Sequence, residues 1–207
     1  MSPIALFAAG AALVALAWRV ASRRWRLPCP AWLGWLVESQ YMAAVAGSAT
    51  LLDRASVGPG MRVLDAGCGP GRVTIPAAER VGPAGAVVAL DVQEAMLERV
   101  RRRVATRGLT NVRTLRAPLE QGIVEAGAFD RALLVTVLGE VPDREGALRT
   151  LREALTAGGI LSVTEVLPDP HYQSRRVVRR LAEAAGLRHV ATYGTHWAFT
   201  MNLQKPA

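Results

Sequence analysis

The sequence predicts an α/β fold, a doubly wound and mostly parallel sheet of seven strands that ends in an antiparallel hairpin and is preceded by an N-terminal membrane helix. Three observations predict it. Strand-like and helix-like segments alternate from Met61 onward, a glycine-rich turn falls at the first strand-to-helix junction, and the first 27 residues hold an uncharged run followed by arginines. Alternation of this kind puts parallel strands in one sheet with helices on both faces.

The N-terminal run Ile4 to Trp18 is fifteen residues long and carries no charge. As a helix it spans roughly 22 Å, and extension back to Met1 with a snorkelling Arg19 brings it near the ~30 Å of a hydrocarbon core. Arg19, Arg23, Arg24 and Arg26 follow it, which by the positive-inside rule leaves the remainder in the cytoplasm. Trp18, Trp25, Trp32 and Trp35 stand where an interfacial aromatic belt would need them. A cleaved signal would carry its positive charge before the apolar run, and an interfacial helix would show a polar face. Residues 1–27 are read as an anchor contacting membrane lipids, in a protein of the cell membrane held by one pass or peripherally, with a buried core helix of the same length as the alternative. Residues 28–56 are read as a linker and an amphipathic helix, set off by Pro28 and Pro30, that either covers a sheet edge or lids the site.

The later elements follow in order. Strands are expected at 62–66, 86–90, 112–116, 132–137 and 160–166, with helices at 73–81, 94–107 and 143–155 between them. The last of these is capped by Asp143 and stopped by Gly158 and Gly159. A helix over 173–185 leads to strands at 187–193 and 197–203, joined by a turn at Gly194.

Composition narrows the function. Hydrophobic residues make up 51% of the 207, enough for a sizeable core. The net charge of +8 is nearly all arginine, since Lys205 is the only lysine, and it is spread over several segments without interleaved aromatics. Nucleic acid is therefore not an expected partner. Cys29 and Cys68 cannot form a disulfide framework, and His171, His189 and His196 lack metal-ligand spacing, so no metal is expected.

The most specific signal is Val63-Leu64-Asp65-Ala66-Gly67-Cys68-Gly69-Pro70-Gly71-Arg72. Its glycines let the backbone turn tightly and approach a ligand, and the following helix directs free N–H groups at a carboxylate or a phosphate. Asp65 adds an acceptor for a cationic group. A ligand with both an amino and a carboxylate group suits this pair better than a pyrophosphate. Asp91, twenty residues past Gly71 at the end of the second strand, can accept hydrogen bonds from a ribose diol.

DAGCGPG resembles the nucleotide-loop motif of class I S-adenosylmethionine-dependent methyltransferases, which share a Rossmann-like fold. VVALDV, FDRALLVTVLGEVPD and LREALTAGGILSVTE resemble their second, fourth-strand and fifth-strand motifs over about residues 57–204. Within that family the chain looks closest to the quinone-biosynthesis-type branch. The resemblance implies an S-adenosylmethionine-binding domain over 57–207. Ala66, Gly67, Cys68, Gly69 and Gly71 would then line the methionine end with Asp65 near its amino group, Asp91 would hold the ribose, and Val92 would flank the adenine. Many relatives place an acid after the third strand to meet the adenine amino group. Here Ala117 and Pro118 stand at that place, leaving the adenine to backbone groups or to Glu120.

Methyl transfer is an in-line displacement, so positioning supplies much of the acceleration. Glu140, Glu165 and His171 are the candidate catalytic groups, past the carboxyl ends of the fourth and fifth strands, with Tyr172 beside His171. His196 and Trp197 are read as packing. An anchor favours a lipid-like acceptor such as a quinone precursor or phospholipid; a protein or soluble small molecule is the alternative. A nicotinamide-dependent oxidoreductase would need a G-x-G-x-x-G spacing that the loop does not have, and a non-catalytic scaffold fits poorly with an intact loop and both acids.

Overall fold

Strand β1 (Arg62–Ala66) begins with one exposed arginine and continues with four buried residues. Such a run is shielded only in the middle of a sheet covered on both faces. The computed structural model, which describes residues 46–121, 125–167 and 169–207, puts it there, in the strand order β3-β2-β1-β4-β5-β7-β6. Helix α1 (Ser48–Arg54) precedes β1. Helix α2 (Thr74–Val81), β2 (Ala86–Asp91), α3 (Glu94–Thr106) and β3 (Val112–Arg116) carry the chain to one edge. It returns through a 3₁₀ turn (Leu119–Gln121) to β4 (Phe129–Val135), α4 (Arg144–Ala154) and β5 (Leu155–Val166). Helix α5 (Arg175–Ala184) then leads to the hairpin of β6 (Arg188–Gly194) and β7 (Ala198–Gln204). Strand β7 inserts between β5 and β6 and is antiparallel to both; the other pairings are parallel.

Side chains alternate across the strands, so one strand feeds two cores. Val63 and Leu133 join Leu51, Leu52, Ala77 and Val81 under α1 and α2. Leu64 and Leu134 join Leu148, Leu151, Leu161, Phe199 and Met201 under α4 and α5. The edge strands are more exposed, and on β3 the exposed Arg113 and Arg116 discourage further pairing.

Most expected elements are present within one or two residues. Pro76 is tolerated in α2 because the N–H groups of a first turn have no helical acceptor. Asp143 caps α4 by accepting the Gly146 N–H at 2.9 Å, and Ser174 caps α5. Two boundaries differ. β4 runs 129–135 instead of 132–137, because Thr136 takes a left-handed φ of 56° and turns the chain out of the sheet. β5 begins at Leu155 instead of 160, directly after α4, which ends at Ala154 within one residue of its expected end. The N–H groups of Gly127 and Ala128 take the carbonyls of Glu153 and Ala154, and Leu155 already pairs with Phe129. The anchor expected over 1–27 and the part of the 28–56 segment before Ala46 lie outside the described residues. Among the described residues no helix is long and apolar enough to cross a membrane.

Leu148 is fully buried between α4 and the sheet. Its replacement by alanine is expected to destabilise the domain by roughly 2–5 kcal/mol, read as a fall in the urea midpoint at unchanged slope.

Candidate active site

Strands β2 and β3 lie to one side of β1, and β4 and β5 to the other, so a crevice opens at the carboxyl ends where the winding reverses. The glycine loop fills its floor. The N–H groups of Gly67 and Cys68 both reach the carbonyl of Leu90 at the end of β2, at 2.8 and 2.9 Å. Gly67 has φ 73°, and a Cβ there would lie 2.4 Å from Cγ2 of Val137. Gly69 has φ 51° and faces open space, with nothing within 4 Å of where a Cβ would sit. The first glycine lets the loop close on the protein; the second leaves room above it.

Two buried carboxylates flank this loop. Asp65 is 2% exposed and accepts a hydrogen bond from the Thr74 hydroxyl at 2.6 Å. Burial pushes its pKa up to about 6, against the opposing pull of Thr74 and Arg72. Asp91 accepts the Gly69 N–H with one oxygen and the Gln93 N–H with the other, each at 2.9 Å. Burial raises its pKa also, and those two N–H groups oppose the rise. The buried Cys68 thiol is pushed well above its usual range by desolvation, so it is an inert wall and not a nucleophile.

A cavity of about 310 Å³ opens over the loop. Of the residues expected to hold a cofactor, Asp65, Gly67, Cys68, Gly69, Asp91, Val92 and Ala117 line it, whereas Ala66, Gly71 and Pro118 do not. Ala66 is fully buried in the core under α4, and Gly71 has turned toward Val100 of α3. Glu120 does line the cavity, at the 3₁₀ turn, alongside Leu119, Leu90 and Met96. These apolar residues escaped the sequence reading because they look like any core position.

Of the acid–base candidates only Glu140 lines the cavity. Glu165 is 1% exposed, accepts the Gln173 N–H at 2.9 Å, and has its pKa raised well above the usual range by burial. His171 is 5% exposed, and its main-chain N–H donates to Asp169 Oδ1 at 2.6 Å. Asp169, which the sequence reading passed over, lines the cavity instead. Tyr172 donates to the His196 carbonyl and meets Phe199 edge-on. The packing role expected of His196 and Trp197 is corrected: both are exposed at the hairpin tip, Trp197 at 67%. Among the described residues no group of His, Cys, Asp and Glu could hold a metal ion.

The loop makes two checks possible. Gly69→Ala meets only the left-handed φ, so it is expected to lose roughly 1 kcal/mol of stability, and Gly67→Ala, which also drives into Val137, about 2 kcal/mol more, by urea titration. The raised Asp65 pKa means that the folded state binds a proton which the unfolded state has already released. Stability contributed by this group is full below its ordinary value of 3.8 and is lost as pH rises through about 6. Asp65→Asn is expected to remove that decline between pH 4 and 6 in thermal melts.

A family profile described as "Methyltransferase domain" matches residues 63–159. The chain is 35% identical over 120 residues to nocamycin O-methyltransferase of Saccharothrix syringae, covering 58% of this chain and 43% of that protein. It is 35% identical over 115 residues to the ubiquinone/menaquinone biosynthesis C-methyltransferase UbiE of Idiomarina loihiensis, covering 55% and 46%. It therefore spans about half the length of the curated relatives it matches. Among solved structures it is similar in fold to a SAM dependent methyltransferase from Aquifex aeolicus, with a TM-score of 0.78 at 21% identity, covering 86% of this chain and 99% of that one. Sequence match, strand order and loop motif agree: residues 63–159 match a methyltransferase domain, and the fold is that of S-adenosylmethionine-dependent methyltransferases.

Proposed function

We propose that the protein is a membrane-associated enzyme that transfers a methyl group from S-adenosylmethionine to a small, lipid-like acceptor. The observation that carries the transfer is the open space above Gly69 between two buried carboxylates, Asp65 and Asp91. That space fits the donor's chemistry. Asp65 offers a buried acceptor for an ammonium, the loop and the start of α2 offer N–H groups to a carboxylate, and Asp91 retains lone pairs for ribose hydroxyls. Leu90, Met96 and Leu119 make an apolar slot for an adenine, with Glu120 at its rim in place of the acid missing after β3.

When bound, S-adenosylmethionine supplies an electrophilic methyl group on a sulfonium. The chain's own task is to hold the acceptor in line with it and to keep water out. Val137, Val141 and Pro142 give that side of the cavity an apolar wall, which suits an aromatic or isoprenoid acceptor. Glu140, on the same wall, is the residue placed to take a proton from an acceptor hydroxyl. Glu165 and His171, buried away from the lining, are assigned to support. The lipid-like acceptor and the membrane attachment rest on the apolar run of residues 4–18 and the arginines after it.

The test is transfer of label from methyl-labelled S-adenosylmethionine into a membrane extract of the source organism, followed by chloroform partition. Organic-phase label that Asp65→Ala abolishes is expected; label confined to protein or aqueous material would move the acceptor to those classes. Carbonate washing should leave an anchored protein in the membrane pellet, whereas a peripheral one would be stripped. Because an ammonium prefers the ionised carboxylate, cofactor affinity is expected to weaken as pH falls below about 6 and to level off above it. Calorimetric titration with S-adenosylhomocysteine checks this, and Asp65→Asn should flatten the profile.

A further inference from the structure

Two loops beyond the ends of β4 and β5 contribute to the cavity wall. The one after β4 supplies Glu140, Val141 and Pro142, and the one after β5 supplies Asp169. They touch directly: a Cβ on Gly139 would lie 1.9 Å from the carbonyl oxygen of His171. Gln173 stands at their junction and uses three of its polar groups. Its main-chain N–H donates to Glu165 Oε2 at 2.9 Å, its side-chain Nε2 donates to the His171 carbonyl at 2.6 Å, and its Oε1 accepts from Arg144 Nη1 at 3.3 Å. Arg144, the first residue of α4, also donates from Nη2 to the Gly139 carbonyl at 3.1 Å. The chain from Glu165 through Gln173 and Arg144 to Gly139 therefore joins the end of β5 to the turn after β4.

We infer that Gln173 is a positioning residue: with Glu165 and Arg144 it latches the two loops together, so that Glu140 and Asp169 keep their places on the acceptor side of the cavity. The latch rests on the methyltransferase reading for what it positions, and on its own hydrogen bonds for its existence. The junction needs a donor toward His171 and an acceptor toward Arg144 on one planar group, which a primary amide supplies. Glu165 contributes as a buried carboxyl. Its Oε1 has no partner and its burial favours the neutral acid, so the group holds Gln173 by accepting one N–H and needs no charge to do so.

None of the latch residues lines the cavity, so its loss should reach the acceptor side without touching the cofactor side. The test is hydrogen exchange by mass spectrometry on the full chain saturated with S-adenosylhomocysteine. Gln173→Met keeps the length of the side chain and removes its polar groups. It is expected to speed amide exchange about five- to tenfold in both 139–143 and 169–173, and to leave calorimetric affinity for S-adenosylhomocysteine within about twofold. Arg144→Met should give the same paired loosening, and the double variant should be no worse than either single one. It also carries the comparison if Gln173→Met does not fold. Glu165→Gln should retain the slow exchange that Glu165→Leu loses.

Where labelled transfer to the membrane extract is measurable, Gln173→Met should raise the apparent KM for extract lipid while the KM for S-adenosylmethionine stays put. The exchange readout needs no acceptor, so it stands or falls apart from the acceptor assignment. Loosening confined to 169–173 would overturn the latch. So would additive effects in the double variant, a tenfold loss of S-adenosylhomocysteine affinity in Gln173→Met, or equal damage from Glu165→Gln and Glu165→Leu.

Discussion

The carboxylate of Asp91 is the constraint on which the site depends. One of its oxygens holds the Gly69 N–H and the other the N–H of Gln93, so the end of β2 grips the loop that follows β1. The two backbone bonds to the Leu90 carbonyl hold the same loop from beneath. An exposed salt bridge would contribute little here, but charge-assisted bonds from backbone N–H to a buried carboxylate are among the stronger ones available. With the loop pinned, Asp65 is left beside it in a desolvated position, where Thr74 offsets part of the burial and a cation would offset more. The charge on Asp91 adds to the burial that pushes Asp65 upward.

The opposite wall depends on a strained residue. Thr136 is β-branched yet sits at φ 56°, a conformation that such residues rarely adopt and that survives only when the surroundings enforce it. Here its N–H donates to the Thr164 carbonyl at 2.8 Å, extending the β4–β5 ladder by one bond before the chain leaves the sheet. The turn throws Val137 against Gly67, the contact that excludes any side chain at that glycine. Strain at the end of β4 and the absence of a Cβ in the loop after β1 are thus two halves of one fit. It brings the glycine loop and the wall that carries Glu140 together at the place where the sheet changes its winding direction.

How far the site can be read from the chain depends on how local each determinant is. The loop is legible because Asp65, Gly67, Gly69 and Asp91 act through backbone conformation and strand ends that their immediate neighbours impose. Ala66 and Gly71 share the motif yet miss the cavity, since strand alternation sends one into the core and a turn sends the other toward α3. Glu165 and His171 read as candidate acids and bases by position, but burial takes them off the lining and leaves Glu140 and Asp169 there. Asp169 carries no sequence signal of its own. Its place follows from the turn it makes with Val166 and from its bond to the main chain of His171.

By itself the sequence determined the succession of strands and helices, the glycine loop, the two acids that flank it and the cap at Asp143. Each of these is a matter of hydrophobic period, backbone freedom or a side chain bonding a few residues away, and such terms are settled within one turn or one strand. Tertiary structure alone decided the strand order, the insertion of β7 between β5 and β6, the pairing of Val137 with Gly67, and the junction of Gln173 with Arg144. Those features join segments far apart in the chain, as Asn202 joins Arg54 across 148 positions. Their energies come from burial and from hydrogen bonds that exist only after the sheet has closed, so no local pattern in the chain records them.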